Sequence, residues 1–141
     1  MARVDFYILS AERADAAERF GCRLAEKAYR LQHRVHLRVA DATDEQRLDR
    51  LLWTFRDGSF VPHEVLAESS GLAAVTIGAG DDLPDETDLL INLGGDMPGA
   101  AERVGRIAEI VPADPAARSA SRRRYADYRD RGFELTTHTI D

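Results

Sequence analysis

Cysteine occurs once, at Cys22, so no disulfide can form within the chain and the fold must rest on its core. The helical pattern around Cys22 predicts a small buried side chain rather than a reactive thiol. No apolar run approaches the roughly 20 residues that cross a bilayer, and Met1-Ala2-Arg3-Val4-Asp5 lacks the basic and apolar regions of a signal peptide. A cytoplasmic protein is expected. Positive charge is also short: the formal net charge of −6 argues against a domain that binds DNA through its whole surface, because that mode needs many phosphate-neutralising cations.

The motifs of several chemistries are missing too. The first strand-to-helix turn reads Leu9-Ser10-Ala11-Glu12 and contains no glycine, so the G-x-G-x-x-G fingerprint of dinucleotide folds is absent. There is no G-x-x-x-x-G-K-[ST] loop, and Gly94-Gly95 leads into Asp96, whose charge would repel phosphate. His33, His36, His63 and His138 show no metal-ligand spacing with Cys22 or with one another. Asp81, Asp82, Asp85, Glu86 and Asp88 lack the spacing of a calcium loop and read as a solvated loop around Pro84. No G-x-S-x-G elbow is present. No catalytic residue, cofactor site or metal site is therefore expected, and a small nucleotide-dependent enzyme is left without residues to carry it.

What is present is an ordinary globular chain of 141 residues with 44% apolar and 31% charged residues, enough for one domain over residues 1–141. Val4 to Leu9 reads as a strand and Ser10 as the cap of a helix over 11–31, whose Ala14, Ala17, Gly21, Leu24, Ala28 and Leu31 form a narrow small-residue face suited to close packing on a sheet. Val35 to Val39 alternates as a second strand, and Thr43-Asp44-Glu45-Gln46 reads as a capping box. Ala74 to Ile77 and Asp88 to Leu93 are short apolar runs suited to buried strands. A short helix over 100–106 precedes a strand over 107–111. Asp114, Pro115 and Gly132 bracket a helix of about four turns, and 133–140 follows as an extended tail. The alternation predicts a three-layer, Rossmann-like α/β domain with an open, mostly parallel sheet and helices on both faces.

Two features point to binding. Leu48, Leu51, Leu52 and Phe55 share one helix face, and Trp53 falls on the opposite side. An outward tryptophan is a candidate interface anchor; the alternative is that Phe60-Val61-Pro62 folds back over it. The second feature lies in 118–131, where six arginines face two acids, so that this stretch carries +4 and the remainder −10. Arg118, Arg122, Tyr125 and Arg129 recur at helical spacing, with Tyr128 beside them. Guanidinium groups around an aromatic ring suit an acidic peptide, by bidentate pairing with carboxylates and packing of an apolar side chain. They equally suit single-stranded DNA, by stacking and phosphate contact. The acidic body favours the peptide.

Asp5-Phe6-Tyr7-Ile8-Leu9, Leu51-Leu52-Trp53 followed by Ser59-Phe60-Val61-Pro62-His63, and Arg124-Tyr125-Ala126-Asp127-Tyr128 with Gly132-Phe133-Glu134-Leu135 resemble, in order and spacing, the chi subunit family of bacterial DNA polymerase III. The resemblance implies a Rossmann-like fold without nucleotide chemistry and a non-catalytic part in DNA replication. It also implies two partners: the psi subunit of the clamp loader and the acidic C-terminal tail of single-stranded-DNA-binding protein. Carried onto this sequence, the tail surface falls on Arg118, Arg122 and Tyr125, with Val111 and Thr137 as neighbours. The psi surface falls on Trp53, Phe60 and Pro62. The chain departs from the family's pattern at Ala126, where relatives can carry a basic residue, and at the ending Thr139-Ile140-Asp141.

Overall fold

A computed structural model describes residues 2–68 and 73–141. Its centre is a seven-stranded sheet in which every pairing is parallel, in the order β3-β4-β2-β5-β6-β1-β7. The strands are β1 (Arg3–Leu9), β2 (Val35–Arg38), β3 (His63–Val65), β4 (Val75–Gly78), β5 (Leu89–Asn92), β6 (Arg106–Val111) and β7 (Glu134–Ile140). Helices α1 (Ala16–Arg30) and α2 (Ala42–Thr54) cover one face, and α3 (Pro115–Asp130) covers the other. Strands buried on both faces are expected to be nearly continuous apolar runs, and the pattern of β5, Leu-Leu-Ile-Asn with all four residues buried, fits that rule.

Each face has its own cluster. Leu9, Cys22, Leu37, Leu48, Leu52, Ile77 and Ile91 pack under α1 and α2, whereas Val4, Phe6, Leu90, Ile107, Val111 and Tyr128 pack under α3. Successive residues of β1 therefore alternate between clusters, Val4 and Phe6 to one side and Tyr7 and Leu9 to the other. Leu48 and Leu52 are fully buried, with Leu51 and Phe55 partly so, and truncating Leu52 to Ala would cost about 2–5 kcal/mol by the usual transfer and cavity terms. Cys22 is buried, and burial followed by the charge of Glu18 pushes its thiol up to about 12, which makes it inert at neutral pH.

The element boundaries differ from the sequence reading in five places. Ser10 does not cap a helix beginning at Ala11; its N–H extends the sheet to the Ile140 carbonyl at 2.9 Å, and α1 starts at Ala16. Asp41, not Thr43, caps α2, its carboxylate accepting from the Asp44 N–H at 2.9 Å. The helix expected over 100–106 is one 3-10 turn, Ala101–Arg103, because Val104 is already extended at φ −121° and ψ 142° and the chain enters β6 at Arg106. His63–Val65 is a short strand that polar composition concealed. Lastly, the extended tail is β7, paired with β1 along its whole length.

Candidate functional site

The C-terminal helix α3 is built as its sequence demands: Asp114 accepts the Ala117 N–H at 2.9 Å as N-cap, Pro115 opens the first turn, and Gly132 follows the end in the left-handed region at φ 87°. The helix lies over β6 and β1 and leaves part of the β1–β7 strip open. There a groove of about 220 Å³ is lined by Phe6, Ile8, Ser121, Arg122, Tyr125 and Thr137. Tyr125 is 37% exposed, and its ring rests against Phe6 with centroids 5.4 Å apart. Arg122 is exposed and makes no ion pair among the described residues. The groove thus offers an aromatic wall, an apolar floor, the Thr137 edge and one free guanidinium.

Three of the five residues expected at this surface line the groove: Arg122, Tyr125 and Thr137. The other two sit deeper. Arg118 is half-buried and donates through Nη2 to the Leu9 carbonyl at 3.1 Å, tying α3 to the end of β1. Val111 is fully buried in the cluster with Phe6 and Tyr128, beneath the groove rather than in its wall. Tyr128, read from spacing as a neighbour on the outer stripe, points inward and is fully buried.

Tyr128 belongs to a polar network that sequence reasoning missed. Glu109, wholly buried in the middle of β6, accepts from Tyr128 Oη at 2.7 Å, Arg124 Nε at 3.0 Å and Asn92 Nδ2 at 3.0 Å. Arg124 Nη1 reaches the Gly95 carbonyl at 2.6 Å. Arg38 extends the network, donating to Asn92 Oδ1 at 3.1 Å and Asp96 Oδ1 at 2.8 Å and lying 3.3 Å from Asp81. Burial pushes the Glu109 carboxyl up, and the Arg124 charge with the hydrogen bonds from Asn92 and Tyr128 opposes that push. The Tyr128 hydroxyl is pushed up by burial and then by its carboxylate neighbour. Asp96 is held below the carboxylate range by its hydrogen bond from Arg38.

The network occupies the carboxyl ends of β2 and β5 and the part of β6 paired beside them, near where α/β folds commonly bind ligands. Here side chains fill it. A Cβ on Gly94 would stand 2.8 Å from Arg38 Nη1, so a larger residue there would push the guanidinium aside. The sequence signal was a charged or amide residue inside an otherwise apolar strand: Arg38, Asn92 and Glu109. Among the described residues no group of three or more His, Cys, Asp or Glu side chains could hold a metal ion.

At the other end of the sheet order, Trp53 is 47% and Phe60 67% exposed, with ring centroids 5.6 Å apart. Phe60 does come back to Trp53, but the two form an open patch rather than a covered one. His63 lies 4.3 Å from Trp53 by ring centroid, and its nitrogens face the Val61 and Asp49 carbonyls at 2.6 and 3.0 Å. Val61 is buried and Pro62 half-buried, so this segment anchors the aromatic pair to the domain.

The profile of the family described as DNA polymerase III chi subunit, HolC, matches residues 1–136. The DNA polymerase III subunit chi of Pseudomonas aeruginosa is 41% identical over 140 residues, covering 99% of this chain and 98% of the relative. That of Escherichia coli K12 is 30% identical over 145 residues, covering 99% of each. This chain belongs to the DNA polymerase III chi subunit family. Membership assigns it to DNA replication, as an accessory subunit of the replicase. The chi subunit of Haemophilus influenzae is 28% identical over 137 residues, 96% of this chain and 95% of the relative. Among solved structures, T4 UvsW superposes with a TM-score of 0.64 at 9% identity over 99% of this chain and 41% of the UvsW chain, a likeness of fold alone. In this chi-family chain no helix of the described residues is long and apolar enough to cross a membrane.

Proposed function

We propose that this chi-family protein is a non-catalytic adaptor of the cytoplasmic replisome that binds the acidic C-terminal tail of single-stranded-DNA-binding protein in the Arg122–Tyr125 groove and a psi-type clamp-loader subunit on the Trp53–Phe60 patch. The observation that carries the reading is the groove itself: an unpaired guanidinium beside an exposed tyrosine and an apolar floor, in an acidic protein. An acidic peptide ending in an apolar residue and a free carboxylate matches it, with Arg122 meeting carboxylate and Tyr125, Phe6 and Ile8 holding the terminal side chain. Arg118 contributes by fixing α3 on Leu9 and adding to the local positive field, and Val111 by supporting the floor.

The Trp53 patch suits a different contact. Two large exposed rings in contact favour an apolar anchor, the composition of interface hot spots. Pro62 supports the patch by fixing the turn from Phe60 into β3.

Binding of intact single-stranded-DNA-binding protein by the wild type and by an Arg122→Ala, Tyr125→Ala double variant tests the first contact. The proposal expects loss of binding in a variant that keeps its fold and its Trp53-dependent partner. Unchanged binding would overturn it. Equal affinity of the wild type for a short oligonucleotide alone at physiological salt would instead assign the arginine helix to DNA.

A further inference from the structure

Helix α1 lies on the sheet through its face of small residues, Ala25 and Ala28 sharing one buried cluster with Val35, Leu89 and Ala108, and a pocket opens beside its C-terminal half. This pocket of about 320 Å³, within the range of small-molecule sites, is lined by Leu24 and Ala28 of the helix and by Tyr7, Leu89 and Ala108 of the sheet. Ala28 and Ala108 face the space as buried methyl groups. Side chains that would normally fill such a gap are missing from both walls, and close packing is the rule in protein interiors.

The mouth opens where β5 and β6 begin, away from the Tyr125 groove, which lies on the opposite face, and remote in the strand order from Trp53. Its rim carries Lys27, His33 and Arg106, with Asp88 as the acid and the 61%-exposed Leu31 beside them. The Asp88 carboxylate accepts the Arg34 N–H at 2.7 Å. Arg106 Nε lies 3.4 Å from Asp5, which is also engaged by Arg3 and His138. Lys27 is the single lysine of the chain, and its ammonium makes no hydrogen bond or ion pair among the described residues. A free ammonium above an apolar floor, in a protein of net charge −6, selects a ligand with an apolar body and one negative charge.

We infer that the cavity between α1 and the sheet is a binding site for a small carboxylate with an aromatic or branched aliphatic body, its charge held by Lys27 and Arg106 and its body seated between Leu24, Ala28, Leu89 and Ala108. This site is independent of the two protein contacts proposed above.

The single lysine makes the test direct. Reductive methylation with 13C-formaldehyde labels Lys27 and the N-terminal amine with retention of charge, and the two signals are followed by NMR. The probe is 3-phenylpropionate, beside the uncharged 3-phenylpropan-1-ol. The site requires a saturable shift of the Lys27 signal by the acid, with the N-terminal signal unmoved and the alcohol weaker by about tenfold or more, the ratio expected when one charge-assisted contact is lost. It also requires loss of that shift in Ala108→Leu, which fills the floor without altering a charge; Ala28→Leu serves the same purpose if the first variant does not fold. Unsaturable shifts of both amines, equal affinity for acid and alcohol, or unchanged binding to a folded filled-cavity variant would each overturn the assignment.

Discussion

The two exposed aromatic surfaces of this protein are held in different ways. Trp53 and Phe60 stand on a short helix end and a loop, anchored from below by Val61 and by backbone contacts of His63. Tyr125 and Arg122 stand on a capped four-turn helix that is fixed to the sheet by the buried Arg124–Glu109 ion pair and by the Tyr128 hydroxyl on the same carboxylate. The first patch is apolar and open, whereas the second is a shallow groove with a charge at its edge. The difference suits the same residue class to two kinds of contact: one driven by area, the other by charge placed with precision of orientation, for which a rigid helix is needed.

The largest effect that separates the two is expected from the helix anchor. Arg124→Leu leaves Glu109 buried without its counter-charge, which typically costs about 3–5 kcal/mol. Urea unfolding should show that loss, and binding in the Tyr125 groove should weaken with it while a partner on Trp53 still binds. A stable variant with a normal groove would show that α3 does not depend on the ion pair. Next in size, Trp53→Ala should remove about 2 kcal/mol or more from binding of a psi-type subunit, as a hot-spot truncation does, with little dependence on salt; calorimetry at two ionic strengths measures both.

A third test concerns pH. His36 is buried against Thr76, its Nδ1 2.7 Å from Oγ1, and burial together with the Arg38 charge pushes it down to about 4. Its folded value lies below the unfolded value, so the unfolded chain binds the extra proton first. Stability that His36 permits at neutral pH is therefore lost as pH falls from about 6.5 towards 4, on the order of 2 kcal/mol by pH 5. Urea midpoints for the wild type and for His36→Gln across that range should diverge from each other; parallel curves would mean that His36 does not titrate as its burial dictates.

The strand-helix alternation, the outward Trp53 and the bracketing of α3 were legible because periodicity and capping are local signals. What escaped was set by distant partners. Ser10 reads as a helix cap until Ile140 claims its N–H for the sheet. Tyr128 reads as an outer residue on a helical wheel until Glu109, nineteen positions earlier in the chain, supplies a buried acceptor. The candidate groove was legible in Arg122 and Tyr125, which neighbour each other on one helix. Its Phe6 and Ile8 floor was not, since only the β1–β7 pairing brings those strands beneath α3. The burial of Val111 follows from that same layering.

The smallest separate effect, and the central one, is at the groove. Arg122→Ala should weaken an acidic peptide by about 1–2 kcal/mol, more at low salt than at high, because an exposed charge is screened within about 10 Å at 0.1 M. Stability should remain within about 0.5 kcal/mol, as for other surface positions.

The most direct measurement is a titration of this protein with the C-terminal peptide of its own single-stranded-DNA-binding protein, at low and moderate salt, beside the same peptide without its last residue. A tail site at the groove gives salt-sensitive binding to the full peptide, loss on truncation, and loss in the Arg122→Ala, Tyr125→Ala variant. Equal binding of both peptides, or none of either, would contradict the groove as the tail site and leave the Trp53 patch as the protein's remaining candidate contact.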